Sequence, residues 1–175
     1  LRQYSNLTDA GSNSYISLIW VAIAIFSPLL GWFSERCHSR LLPMRLAAII
    51  GIIFITLILV FPAMPRSLLL ISLFCLGIGP PGAILSFAVV QDYNQKNLGA
   101  AIGFNNMMLV LGGLVFQPLV GKFLDFVGAL EVNFGVPVYS LSAYRIALSV
   151  IPICLFIGLI ISMFFIKETK CEICK

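Results

Sequence analysis

Five uninterrupted apolar runs make up most of the chain, at residues 14–33, 46–63, 68–90, 99–120 and 146–166. None of them contains Asp, Glu, Lys or Arg. A helix needs about 20 apolar residues to cross the hydrocarbon of a bilayer, so each run reads as a membrane span. The second is the shortest and crosses only if it stands nearly upright. Segments in lipid must satisfy their own backbone hydrogen bonds, and the alternation of a spanning β-barrel is absent, which leaves helices. The expected fold class is an all-α polytopic membrane protein with five transmembrane helices.

The five runs differ in how their small and polar residues are placed. Winding the fourth at about 100° per residue puts Gly99, Gly103, Asn106, Gly113, Gln117 and Gly121 within about 40° of one line. Val110 is the one apolar residue on that stripe, and Phe104, Met108, Val115 and Leu119 form the opposite face. The first run has a similar stripe of Ser17, Ala24, Pro28 and Gly31, flanked by Trp20 and Ser27. In the third run Ser72, Gly79, Ala83 and Ser86 do the same. The second and fifth runs are apolar nearly all round. Helices of that kind sit against lipid or pack at the periphery. The expected order is inner, outer, inner, inner, outer.

Composition removes most other classes. At 60% hydrophobic residues and mean hydropathy +1.04, the chain cannot be a water-soluble domain, a disordered segment or a secreted disulfide scaffold. Its net charge of +4 is spread over loops, so nucleic acid is not an expected partner. Lys and Arg number seven on one side (Arg36, Arg40, Arg45, Lys96, Lys167, Lys170, Lys175) and four on the other (Arg2, Arg66, Lys122, Arg145). The richer side is expected to be cytoplasmic. An odd number of spans then puts residue 1 outside and the C-terminus inside, in the plasma (inner) membrane. The chain does not begin with Met and opens on no signal-peptide pattern. Residue 1 is therefore expected to be an internal position of a longer protein.

Scarce charge concentrates in the turn at 31–40, between the first two runs. It holds Glu35, Arg36 and Arg40 in a chain that is 10% charged. Taken alone, it also fits an ordinary positive cytoplasmic loop. Gly31, Phe33, Ser34, Glu35, Arg36 and Arg40 fall on the pattern Gly-x-Leu-Ala-Asp-Arg-x-Gly-Arg-Lys, which the major facilitator superfamily of transporters carries between its second and third helices. A weaker copy lies between that family's eighth and ninth helices. Glu35 replaces the usual Asp, His38 stands where the second Gly is expected, and Ser39 where an Arg is expected. Such decay looks more like the second copy. The order of inner and outer helices is similar to that of helices eight to twelve of the family. Residues 91–106 resemble its tenth-to-eleventh loop running into Gly-x-Ala-x-Gly, residues 121–125 its exit from helix eleven, and residues 164–169 its usual end of helix twelve.

The resemblance implies the C-terminal half of a twelve-helix bundle. Residues 1–13 would be an extracytoplasmic segment after helix seven, residues 14–166 the five-helix part, and residues 167–175 a cytoplasmic tail. The partners it implies are a small-molecule solute, the lipid bilayer and the N-terminal half of the same transporter. In that family the loop's acid and arginines form a clasp that holds the inner gate closed. This makes Gly31, Glu35, Arg36 and Arg40 the expected gating set. Trp20, Ser27, Ser72, Ser86, Asn105, Asn106 and Gln117 are the candidate solute-cavity residues. The segment from 125 to 145 is polar and long enough to fold over the outer mouth.

The third run carries Gly77, Gly79, Pro80, Pro81 and Gly82 in mid-span. Proline removes a helix hydrogen bond and clashes with the preceding turn, so a kink or opening is expected there. It reads either as a kink filled by a neighbouring helix or as a functional hinge.

Chemistry is thin elsewhere. Cys171 and Cys174 have metal-ligand spacing, but zinc wants four ligands and no second pair lies nearby. On a cytoplasmic tail they read as two reduced thiols. His38 is the one histidine and reads as a solvated loop residue. No nucleophile elbow, phosphate loop or ligand cluster appears, so neither an enzyme nor a bound cofactor or metal is expected. The function expected is secondary active transport of a small solute by alternating access, with ion or proton coupling left open. The alternative is a non-transporting helical membrane protein, an accessory subunit or a sensor, that keeps the same fold.

Overall fold

A computed structural model describes residues 9–61, 64–127, 129–133 and 136–168. Its five spans are long and apolar enough to cross a membrane: Asn13–Arg36, Leu41–Val60, Arg66–Tyr93, Leu98–Val127 and Leu141–Phe164, here spans I to V. Span I belongs to α1 (Asp9–Arg36) and span II is α2 (Leu41–Val60). Span III is two segments, α3 (Arg66–Leu76) and α4 (Gly79–Tyr93). Span IV is α5 (Leu98–Val127). A two-stranded antiparallel hairpin follows, β1 (Ala129–Asn133) and β2 (Val136–Tyr139), with a register shift between Ala129 and Glu131. Span V is again two segments, α6 (Leu141–Leu148) and α7 (Val150–Phe164). The fold is all-α apart from this hairpin. Residues 1–8 and 169–175, with Arg2, Lys170, Cys171, Cys174 and Lys175, lie outside the described residues.

Every span is longer than its charge-free run at one or both ends. The helices continue through Arg36, Arg45, Arg66, Asp92, Lys122, Asp125 and Arg145. Charged groups near helix ends reach out of the hydrocarbon on long stems or find partners. The helix of the second run starts ahead of it at Leu41, with Pro43 in the first turn, where its missing N–H costs nothing.

Prolines set the breaks. Pro80 and Pro81 lack the N–H groups that would bond Leu76 and Gly77 four residues back, so span III is interrupted at Gly77–Ile78 and restarts at Gly79. Pro152 removes the bond to Leu148, and span V is interrupted at Ser149. Ser140 caps the start of α6 by accepting from the Ala143 N–H at 3.0 Å.

Span III lies against both spans I and II, and span II also packs along span V. Within a membrane, helices associate through close van der Waals fit, which small residues permit. A Cβ at Gly77 would sit 2.5 Å from Cβ of Ala22 and 2.8 Å from the Ile19 carbonyl. At Gly82 it would sit 2.8 Å from Cβ of Ala47. These glycines let α3 and α4 touch the neighbouring backbones.

The two faces of span II differ in contact rather than in polarity. The second run reads as greasy on all sides, yet α2 has a packed face of Leu41, Pro43, Ala47, Gly51 and Ile55 and an exposed one with Leu42, Leu46, Ile53 and Val60. Its small residues Ala47 and Gly51 sit one turn apart and carry the contact with α4. By contrast α5, with the clearest stripe in the sequence, has no buried residue.

Candidate functional site

The turn at 36–41 is built from backbone first. The Ser39 N–H reaches the Ser34 carbonyl at 3.2 Å and the His38 N–H reaches that of Glu35 at 3.2 Å. This pair of bonds is the Schellman closure of a helix, which needs one residue in the left-handed region. His38 takes it, with φ 50°. Glycine usually fills that position, and His38 is where the family pattern has its second Gly.

The turn delivers Arg40 into the packing. Its Nε lies 3.3 Å from Oδ2 of Asp92, with side chains 11% and 2% exposed. Its Nη1 donates to Oγ of Ser34 at 3.3 Å, and Ser34 is fully buried. Glu168, just past span V, accepts from the backbone N–H of Arg40 at 2.8 Å and of Leu41 at 3.1 Å. It also accepts from Oγ of Ser39 at 2.6 Å. Tyr93 donates its hydroxyl to the Lys167 carbonyl at 2.8 Å. Three chain segments are thus tied at one end of the bundle: the I–II turn, the end of α4 and the exit of span V. Removing one partner of a buried pair leaves the other charge uncompensated, at about 3–5 kcal/mol.

Of the expected gating set, Arg40 alone is drawn into these inter-helix bonds. Glu35 and Arg36 are exposed, and the Arg36 guanidinium lies 5.6 Å over the Trp32 ring. With Trp32 and His38 they line an open recess of about 570 Å³. A Cβ at Gly31 would meet nothing within 4 Å. Asp92, Glu168, Ser34 and Ser39 are not among the site residues expected from sequence, although Ser34 falls on the loop pattern and Ser39 departs from it. Asp92 carried one signal, an acid at the edge of an apolar run in a chain poor in charge.

The candidate cavity residues do not converge on one enclosed space. Asn105 donates its amide to Oγ of Ser86 at 3.0 Å, joining α5 to α4. Ser27 donates to the Ile23 carbonyl of its own helix at 2.6 Å. Ser72 is fully buried, which puts it inside the packing, with Oγ 3.9 Å from the Met64 sulfur. Trp20 is 68% exposed, and Asn106 is exposed on α5. Gln117 lines a separate, largely apolar groove of about 540 Å³ between α5 and α7, with Gly113 and Cys154. The stripes of α1 and α5 therefore share one property, that most of their residues are exposed.

At the opposite end Tyr139 is buried edge-on to Tyr144, with ring centroids 6.0 Å apart. It donates its hydroxyl to Asp125 at the end of α5. This hydrogen bond raises the Tyr139 phenol above its ordinary 10.0, and burial and the charge of Asp125 push the same way. Among the described residues no group of three or more His, Cys, Asp or Glu is placed to hold a metal ion.

Comparison with known proteins decides the family. The sequence profile of the Major Facilitator Superfamily matches residues 2–171. The chain belongs to the Major Facilitator Superfamily. It is a membrane transporter of the major facilitator kind, multi-pass by its five apolar helices. No curated protein and no solved structure matches it significantly.

Proposed function

We infer that this transporter moves a small solute by alternating access and that these five spans are helices eight to twelve of its bundle, with residues 14–166 in the membrane. The N-terminal half of the same protein would complete the path, in the plasma (inner) membrane. In this reading residue 1 lies outside and the I–II turn and the C-terminus lie in the cytoplasm. The exposed face of α1 and α5, with Trp20, Asn106 and Gln117, fronts the solute path, and the Ser86–Asn105 pair holds α4 and α5 together beside it. The interruption at Ile78 is the hinge, with Gly77 and Gly82 pinned against α1 and α2 on either side. Among the described residues the acids within the spans lie near helix ends, with Asp92 held by Arg40 and Asp125 by Tyr139, so any ion or proton coupling would use acids contributed elsewhere.

The observation that carries this reading is the buried Arg40–Asp92 pair with Glu168 on the helix start beside it. It stands where the family pattern has its gating loop, and it ties together the ends of three spans. The test is uptake of a panel of small solutes by proteoliposomes of the intact protein. Asp92→Asn is expected to cut the rate about tenfold or more while KM stays within about twofold, the mark of a conformational step. Glu35→Gln should also change rate more than affinity. A large loss of affinity with rate intact would instead put Asp92 at the solute. Absence of any uptake across a broad panel would favour the non-transporting alternative. Orientation is checked at Cys37, which is exposed. An impermeant thiol reagent outside intact cells should leave it unlabelled.

A further inference from the structure

Spans II and V run antiparallel, and their ends exchange charged groups. At one end, Arg45 in the second turn of α2 donates from Nε to Oγ of Ser162 at 3.1 Å and from Nη2 to the Ser162 carbonyl, in the last turn of α7. Ser162 is 4% exposed. At the other end, Arg145 of span V donates to the Val60 carbonyl, the last residue of α2, at 3.0 Å. Glu168, beyond span V, accepts from the first N–H groups of α2. The last carbonyls and first N–H groups of a helix have no partner within it. The sign also fits: cations favour a helix C-terminus and anions an N-terminus. Neither helix supplies these groups itself. α2 has no acid in its first turn and no base in its last, its own cap being the neutral Ser39 Oγ on the Leu42 N–H at 3.1 Å, and α7 has no base in its last turn.

We propose that Arg45 and Arg145 are reciprocal end-caps that make spans II and V one strut, capped at both ends of the bilayer by each other's side chains. Two packed apolar faces with nothing polar between them could slide. Carbonyls pinned at both ends fix register and length together, and between the clamps Leu155 lies over Gly51, its Cδ1 3.6 Å from where a Cβ there would sit. Arg145 then has a structural reason to lie on the side poorer in basic residues. The strut is the part of this half that does not bend. Span III, interrupted at Gly77–Ile78, and span IV move against it. That last statement rests on the transport cycle proposed above, whereas the capping does not.

The experiment is hydrogen–deuterium exchange on the intact protein in lipid nanodiscs, because each cap acts on the opposite span. Arg145→Ala should speed exchange of the last-turn amides of α2, at residues 57–61, by about threefold, as for a solvent-exposed cap. Arg45→Ala should speed exchange at residues 161–165 of α7 by about tenfold, as for a charge-assisted bond in a drier site. Arg45→Lys, which keeps the charge and one donor, should fall between, and it stands in if the alanine variant does not fold. Exchange that changes only in the substituted residue's own span, or in neither, would overturn the proposal. Spin labels at exposed positions 53 and 156 should keep one separation in inward- and outward-facing states of the native protein. A separation that differs between those states would refute the strut even with both caps in place. The exchange result stands whether or not solute uptake is found.

Discussion

Spans II and IV carry opposite messages in sequence and in structure. Span II is apolar on almost every side and yet is embraced by spans III and V, with Ala47 and Gly51 in the contact. Span IV has a ruled stripe of glycine and amide residues, yet none of its residues is buried. A Cβ at Gly99, Gly103, Gly113 or Gly121 would meet nothing within 4 Å. The difference lies in what a stripe means in lipid. In water, an apolar face marks the packed side of a helix. In a bilayer, apolar surface is satisfied everywhere, so contact between apolar faces is decided by fit and leaves little contrast in the sequence. A polar stripe there reports only that the face avoids lipid. It does not name the neighbour.

The largest effect that could break this comparison comes from filling one glycine on each side of it. Gly82→Val forces a side chain into the 2.8 Å gap to Ala47. The rigid backbone contact of α4 with α2 cannot give, so a loss of about 3 kcal/mol is expected. Gly113→Val on α5 should cost less than about 0.5 kcal/mol, like other substitutions that touch nothing. Thermal unfolding of both variants in the same nanodiscs decides it. An equal loss at Gly113 would mean that another helix lies on the stripe of span IV, and the contrast with span II would collapse.

How much of this was legible follows from the same physics. The existence and number of spans were readable, because hydrocarbon leaves a chain no alternative to the helix. Their ends are not, because a charge does not mark the boundary of a helix here. Arg45 and Arg145 lie inside helices because the neighbouring span supplies carbonyls for them. The turn's importance was readable from its charge, but its division of labour was not. Arg40 finds Asp92 52 residues away and Glu168 128 residues away. Such pairings depend on which helix ends are brought side by side, and no local pattern encodes that. The glycines of span III were read through the prolines beside them, as a bend. Their packing against Ala22 and Ala47 required knowing the neighbours.

A smaller effect sharpens the entry to span II. His38 occupies a left-handed conformation that costs most residues roughly 1–2 kcal/mol. His38→Gly removes that cost but adds about 0.5–1 kcal/mol of unfolded-state entropy. A net gain of about 0.5 kcal/mol is expected in thermal unfolding, with the Arg40–Asp92 pair kept. A loss of stability would show that the His38 side chain holds the turn in a way its backbone does not reveal.

The smallest stability effect, and the most telling, belongs to Asn106 on span IV. Its neighbour Asn105 points to α4 and bonds Ser86, so Asn105 is the residue that joins these helices. Asn106 lies about 100° further round the helix, on the stripe, and is exposed. Left facing lipid, its amide would cost several kcal/mol, so this face requires either another helix or water. Interhelical amide bonds average about 0.6 kcal/mol in one measured membrane protein. A wet solute path would make no stabilising use of the amide at all. Asn106→Ala should therefore lower uptake while changing thermal stability by well under about 1 kcal/mol, and Asn105→Ala should show the reverse balance. Measured side by side, the two neighbours separate a helix that is held from a helix that is wetted. A clear stability loss at Asn106 with solute affinity intact would turn the stripe of span IV into a packing face like that of span II.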